Sequence, residues 1–269
     1  MRKLTVLILV LIVVSAGCIG GDTSQPQTSK ADGETTSPQS PIKTGSEKEN
    51  TPIDPVKALE EIKQYSYAED ASVELDMEMK SGNFTQEANF TMIIEEMGYV
   101  DFEEKKAKIM TTTTTLPDNV TFNMSLVVVD GKVYIKDIGE RIAKNDTSFW
   151  RINPVSVARE LLKLQPVGNY TENGTLVLVY SVPEELILPM AEFYFATPDM
   201  NTTVTDATAE LYFTDEGFTG MKLTYGIIAT TTAEDISGEI IEVTERGYWK
   251  GTIKITSINK KEEVEAPST

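Results

Sequence analysis

The sequence predicts an α+β domain: a strongly curved antiparallel sheet, a half-barrel of roughly ten strands, with helices packed on its concave face. Three observations predict it. Long stretches alternate apolar and polar residues, as in Val73, Leu75, Met77 and Met79 against Glu74, Asp76 and Glu78, the period-two pattern of a strand with one wet face. Short turn signals such as Asp130-Gly131 join these stretches into hairpins. Two segments of helical texture, 154–164 and 183–195, are far more apolar and lie between two blocks of strands.

Residues 1–17 read as a secretory signal. Arg2 and Lys3 precede an unbroken apolar run, Leu4–Val14, and Ser15-Ala16-Gly17 leads to Cys18. The run is about 11 residues, against roughly 20 for a membrane-spanning helix. Cys18 is the only cysteine, and the small residues before it resemble the lipobox of secreted lipoproteins. That resemblance implies a lipid-modified Cys18 as the first mature residue, anchoring the protein at the extracytoplasmic face of the cell membrane. The alternative is plain cleavage near Ala16, which would leave a free thiol of the kind exported proteins seldom keep. Residues 18–52, rich in Ser, Thr, Gln, Pro, Gly and Lys, cannot bury enough apolar surface to order themselves and read as a flexible tether.

Composition excludes several function classes. With no histidine, the commonest general base, metal ligand and pH switch are missing. One cysteine rules out an internal disulfide and thiolate metal sites. The net charge is −18. Residues 1–52 hold five basic and five acidic side chains, so the remaining nineteen basic and thirty-seven acidic ones place the imbalance on the domain. Such a field repels nucleic acid. No cofactor is expected, and no enzymatic activity.

The domain is expected over residues 53–258. Asp54-Pro55 is an N-cap and first-turn pair, and Val56, Leu59, Ile62 and Tyr65 recur at helical spacing. From Ala71 the period becomes two. Ser81-Gly82-Asn83 is a turn, after which Phe84, Ala88, Phe90, Met92 and Ile94 continue the alternation. Val120, Phe122, Met124 and Leu126 alternate with Asn119, Thr121, Asn123 and Ser125. Asn153-Pro154 starts a second helix, and Pro183–Phe195 forms a third that Pro189 should kink or divide. Between them lies a short hairpin at Asn173-Gly174. Strands resume from Thr202, turn at Asp215-Glu216-Gly217 and end with a strand carrying Trp249, Ile253 and Ile255. Residues 259–269 read as a charged, frayed tail.

Two signals bear on function. Eight Asn-X-Ser/Thr sequons occur, at Asn83, Asn89, Asn119, Asn123, Asn145, Asn169, Asn173 and Asn201, where chance would give roughly two. They are candidate glycosylation sites and, with the lipobox, suggest an archaeal-type surface lipoprotein. The second signal is the apolar helix pair. A helix lying on a one-sided sheet should keep a polar outer face, which residues 186–195 scarcely have. Either they are buried on all sides, or Val157, Leu161, Leu162, Leu186, Ile187, Met190, Phe193 and Tyr194 line a cavity for an apolar ligand.

The order of elements then resembles a known superfamily. A helix precedes a meander with Asp130-Gly131-Lys132-Val133-Tyr134, then Trp150, Pro-led apolar helices, and strands with Leu211-Tyr212-Phe213 and Gly217-Phe218. This is similar to the LolA-like superfamily, including the LppX and LprG lipoproteins. The resemblance implies a curved half-barrel wrapped around helices and an apolar cavity, and so a carrier of lipid acyl chains. The arginine with which the bacterial carrier holds its lid has no clear counterpart here. A glycosylated structural or adhesion module with no cavity is the other expectation. Glu74, Asp76 and Glu78 read as a solvated face, since calcium sites draw six or more oxygens from a bent loop.

Overall fold

The computed structural model describes residues 53–137, 140–145, 149–195, 201–234, 238 and 240–266. All of them fall within one compact unit, Thr51–Thr269. The signal, Cys18 and the tether lie outside the described residues, as do the side chains of Asn145, Phe193 and Tyr194.

Eleven strands form one antiparallel sheet: β1 Gln64–Ser81, β2 Phe84–Asp101, β3 Lys106–Leu116, β4 Val120–Val129, β5 Lys132–Asp137, β6 Glu140–Asn145, β7 Gly168–Glu172, β8 Thr175–Ser181, β9 Asn201–Thr214, β10 Gly217–Glu234 and β11 Ile240–Ile258. Their spatial order is β6-β5-β4-β3-β2-β1-β11-β10-β9-β8-β7. Two meanders therefore meet at the β1–β11 pair, where Val73 faces Trp249 and Tyr65 faces Ile258. The sheet is curved and stays open, with β6 and β7 as its edges. Register shifts at Ser66/Tyr67, Phe218/Gly220 and Thr224/Gly226 add local twist, as bulges do.

Turn chemistry explains the hairpins. Asp130 and Gly131 both take positive φ, 52° and 71°, as do Asn173 and Gly174 at 49° and 78°, which is the backbone that right-twisted two-residue turns require. The β strands begin earlier than the alternation suggested. Helix α1 (Pro55–Glu60) has only six residues, and Tyr65 belongs to β1, not to a helix. The inner face of β1 runs Tyr65, Tyr67, Glu69, Ala71, Val73, Leu75. Glu69 interrupts its apolar period, which is why the sequence signal starts only at Ala71.

The remaining helices are α2 (Phe149–Ile152), α3 (Pro154–Leu161) and α4 (Glu184–Phe195). Asn153 caps α3, its side chain accepting from the Ser156 amide at 3.1 Å. Leu162 is the C-cap, and tight-turn bonds from Lys163 and Leu164 close the segment, so α3 ends before the expected residue 164. Pro189 lies inside α4 without dividing it. Arg159 ties α3 to α1: its guanidinium donates to the carbonyls of Leu59 and Ile62 at 2.8 and 2.7 Å and lies over the Phe102 ring.

The core sits between these helices and the inner face of the sheet. Tyr65, Val155, Val157, Leu161, Ile187, Leu211, Tyr225 and Trp249 are sealed from solvent. The expected fraying fails at the start of the tail. Asn259 accepts from the amides of Lys63 and Gln64 and donates to the Glu61 carbonyl. Beyond it Lys261 pairs with Glu104, and Val264 is buried. One apolar side chain and a few polar bonds hold down a segment whose composition alone reads as loose.

Candidate ligand site on the inner face

Residues i and i+2 of a strand share a face, so Val120, Phe122, Met124 and Leu126 line the inner side of β4. Val120 and Phe122 are 45% and 44% exposed, Met124 is half-buried and Leu126 is 2% exposed. An apolar track therefore runs from solvent into the protein over six residue steps, ~20 Å at strand rise. Across the sheet, inner-face Phe84 is 65% exposed, and Met79, Phe90 and Met92 are half-buried. Toward the β1–β2 and β3–β4 turns the inner face thus carries partly open apolar side chains, interleaved with Thr113, Thr115 and Gln86. Methionines suit a surface that must adapt to an occupant.

The inner end of the track meets a small cavity of about 30 Å³ between sheet and helices. Met124, Leu126, Ile109, Phe149, Met190 and Ile253 form its apolar wall, with Tyr67, Glu69 and Glu96 as its polar side. Glu69 and Glu96 are cross-strand partners, 7% and 4% exposed. Glu96 accepts from the Tyr67 hydroxyl at 2.6 Å and from the Thr111 hydroxyl at 2.7 Å. Glu69 has no such donor among the described residues. Burial, followed by the Glu96 and Asp70 charges, pushes its carboxyl well above the ordinary range, because desolvation and like charge both disfavour ionisation. Tyr225, stacked on Trp249 with centroids 5.8 Å apart, is pushed up by burial and by Glu69.

A second, larger hollow of about 450 Å³ opens on the outside of the helical layer. Trp150, Arg151, Ser156, Leu164, Pro183 and Leu186 are among its lining. Its mixture of charged and apolar walls at the surface lacks the enclosure of a small-molecule pocket.

The eight residues proposed from sequence as cavity lining separate. Leu186 lines the outer hollow and Met190 the small inner cavity. Val157, Leu161 and Ile187 are fully buried in the core, and Leu162 packs at its margin; Phe193 and Tyr194 lie outside the described side chains. The apolar excess of α4 over residues 186–191 is absorbed by ordinary packing against the sheet and α2. Sequence reading missed Glu69, Glu96 and the exposed part of the track. A signal did exist: both glutamates fall on the apolar phase of their strands, beside Ala71 and Ile94.

Seven of the eight sequon asparagines have described side chains, and all seven are exposed. Asn83, Asn119 and Asn173 lie in turns, Asn89 and Asn123 on the outer face, Asn169 on edge strand β7 and Asn201 at the start of β9. Glu74, Asp76 and Glu78 lie on the outer face of β1, and no cluster of metal-ligating side chains occurs among the described residues. Among the described residues, no helix is long and apolar enough to cross a membrane.

No protein-family model matches the sequence, and no curated protein matches it. Among solved structures, the chain is similar to LprF from Mycobacterium bovis, at 10% identity and a TM-score of 0.40, over 80% of this chain and 94% of that one. It is also similar to a beta-barrel-like protein of a domain of unknown function from Brucella abortus, at 12% identity and a TM-score of 0.25, over 73% of this chain and 100% of that one. Both likenesses are too loose to carry over a ligand or a residue's role.

Proposed function

We propose that the protein is an extracytoplasmic lipoprotein, anchored through Cys18 and glycosylated on its exposed sequons, that holds an apolar ligand such as a lipid acyl chain on the inner face of its sheet. The observation that carries this reading is the β4 track. An apolar strand face whose exposure falls stepwise from 45% at Val120 to 2% at Leu126 offers a chain a graded path out of water. Apolar side chains left open along one strand face are the kind of surface at which ligands bind. The −18 charge disfavours nucleic acid as the occupant.

A second reading has its own support. The helices seal most of the inner face, and the enclosed space there is only about 30 Å³, which suits a glycosylated structural or adhesion module with no ligand. Organic extraction of the protein purified from native membranes, followed by lipid mass spectrometry, separates the two. A stoichiometric amphiphile supports the carrier. A clean extract, with no uptake of a fluorescent acyl probe by the purified chain, leaves the structural module. Metabolic labelling with palmitate checks the anchor independently, since Cys18→Ser should lose the label.

A further inference from the structure

We propose that the cavity at Glu69 and Glu96 receives the hydrogen-bond-donating head group, a hydroxyl or a protonated amine, of a ligand whose apolar chain lies along the β4 track. This rests on the inner face being the ligand surface.

Burying a carboxyl without a partner is costly, and native proteins nearly always satisfy such groups. Glu69 is 7% exposed, faces the cavity, and receives no hydrogen bond from any described residue. Its neighbour Glu96 is fully engaged by Tyr67 and Thr111, so the deficit belongs to Glu69. The Tyr225 hydroxyl, close enough to feel the Glu69 charge, is likewise buried with no partner. A buried carboxyl on the wall of a hollow, with no hydrogen bond from the described residues, points to an occupant that carries a donor.

The site also states what that occupant can be. No Lys or Arg is among the described residues lining the cavity, so an occupant bearing a donor is the complement of its polar wall. A cavity of about 30 Å³ has room for a small polar group and is too small for a sugar ring. An ionised acidic head would lose its water here with no cation among the described lining residues to pair it. Gly251 preserves the approach, because a Cβ there would stand 2.8 Å from Glu69 Oε1. The apolar wall beyond is formed by Met124 and Met190, the most adaptable side chains for admitting a chain.

The test uses the full chain and three probes of equal length below their micellar concentrations: dodecylamine, dodecanol and dodecanoate. Binding is read by competition with an environment-sensitive naphthyl dye. The wild type should prefer the amine or the alcohol over the carboxylate by roughly tenfold or more, the scale of one buried hydrogen bond. Whichever of the two binds tighter identifies the head. Glu69→Leu should bring the three probes within about twofold of one another while keeping affinity for the chain, the expected result of deleting one polar contact. Glu69→Gln, nearly isosteric, should also lose the preference for the amine, and guards against misfolding of the leucine variant. Equal binding of all three by the wild type, or an unchanged preference in both variants, overturns the head-group assignment and leaves the apolar carrier standing. Binding of none overturns the carrier reading itself.

Discussion

The hydroxyl of Tyr65, the second residue of β1 and on its inner face, donates a 2.9 Å hydrogen bond to Oδ1 of Asn153, the residue that caps α3. The same hydroxyl accepts from the Val155 amide. A strand residue thus completes the N-terminus of a helix 88 positions away, which fixes where the helical layer sits on the sheet. Tyr65→Phe keeps the ring but leaves these buried groups short of a partner. It should cost about 1–3 kcal/mol, measured by urea denaturation, with little change in the far-ultraviolet spectrum. No loss would mean that apolar packing alone positions α3.

Glu69 makes stability depend on pH. Its carboxyl holds a proton well above the ordinary value of 4.5, so in that range the folded state binds a proton that the unfolded chain has released. The contribution is full below that ordinary value and is lost as pH rises through the raised one. Wild-type stability should therefore fall, as pH rises above the ordinary carboxyl range, more steeply than that of Glu69→Gln. Parallel curves for the two proteins would contradict the buried, unpartnered carboxyl.

Gly98 leaves room for an aromatic ring. A Cβ at this position would fall within the ring of Tyr67, whose hydroxyl is committed to Glu96. Gly98→Ala must displace the ring and strain that hydrogen bond, at about 1–3 kcal/mol by the usual scale of overpacking. A thermal melt reads the loss; a double variant Gly98→Ala/Tyr67→Phe as stable as Tyr67→Phe alone would assign it to the hydrogen bond instead of to the ring.

The track can be tested apart from the fold. Val120 and Phe122 are exposed, so Val120→Ser/Phe122→Ser should change stability by no more than about 0.5 kcal/mol per site. Uptake of an acyl probe should nevertheless weaken roughly tenfold, from the apolar area removed. Unaltered uptake would place the ligand elsewhere, with the outer hollow at Trp150 and Leu186 next in line.

Asn259 closes the other end of the sheet. Through one side chain it satisfies two amides and one carbonyl at the α1–β1 junction. Asn259→Ala should destabilise by about 1–2 kcal/mol and expose the amides of Lys63 and Gln64 to hydrogen exchange. Full protection in the variant would show that water replaces the asparagine without cost.

Much of this arrangement is dictated locally. The alternation around Leu75, the positive-φ pairs Asp130-Gly131 and Asn173-Gly174, and the caps Asp54 and Asn153 each act within a few residues, so the sequence alone determines one-sided strands, tight hairpins and helix starts. It also determines the anionic character and the absence of imidazole and disulfide chemistry. Only the tertiary structure decides that β1 and β11, far apart in the chain, pair across their whole length, because strand pairing is set by which edges remain after the meanders form. Only it decides that residues 186–191 of α4 spend their apolar excess on packing, while Phe122 and Val120, unremarkable in a strand pattern, are left uncovered. Whether an apolar side chain meets protein or solvent depends on what lies opposite, and that information belongs to the folded whole. Glu69 makes the same point: its period marks it as inward-facing, but only packing removes its donors.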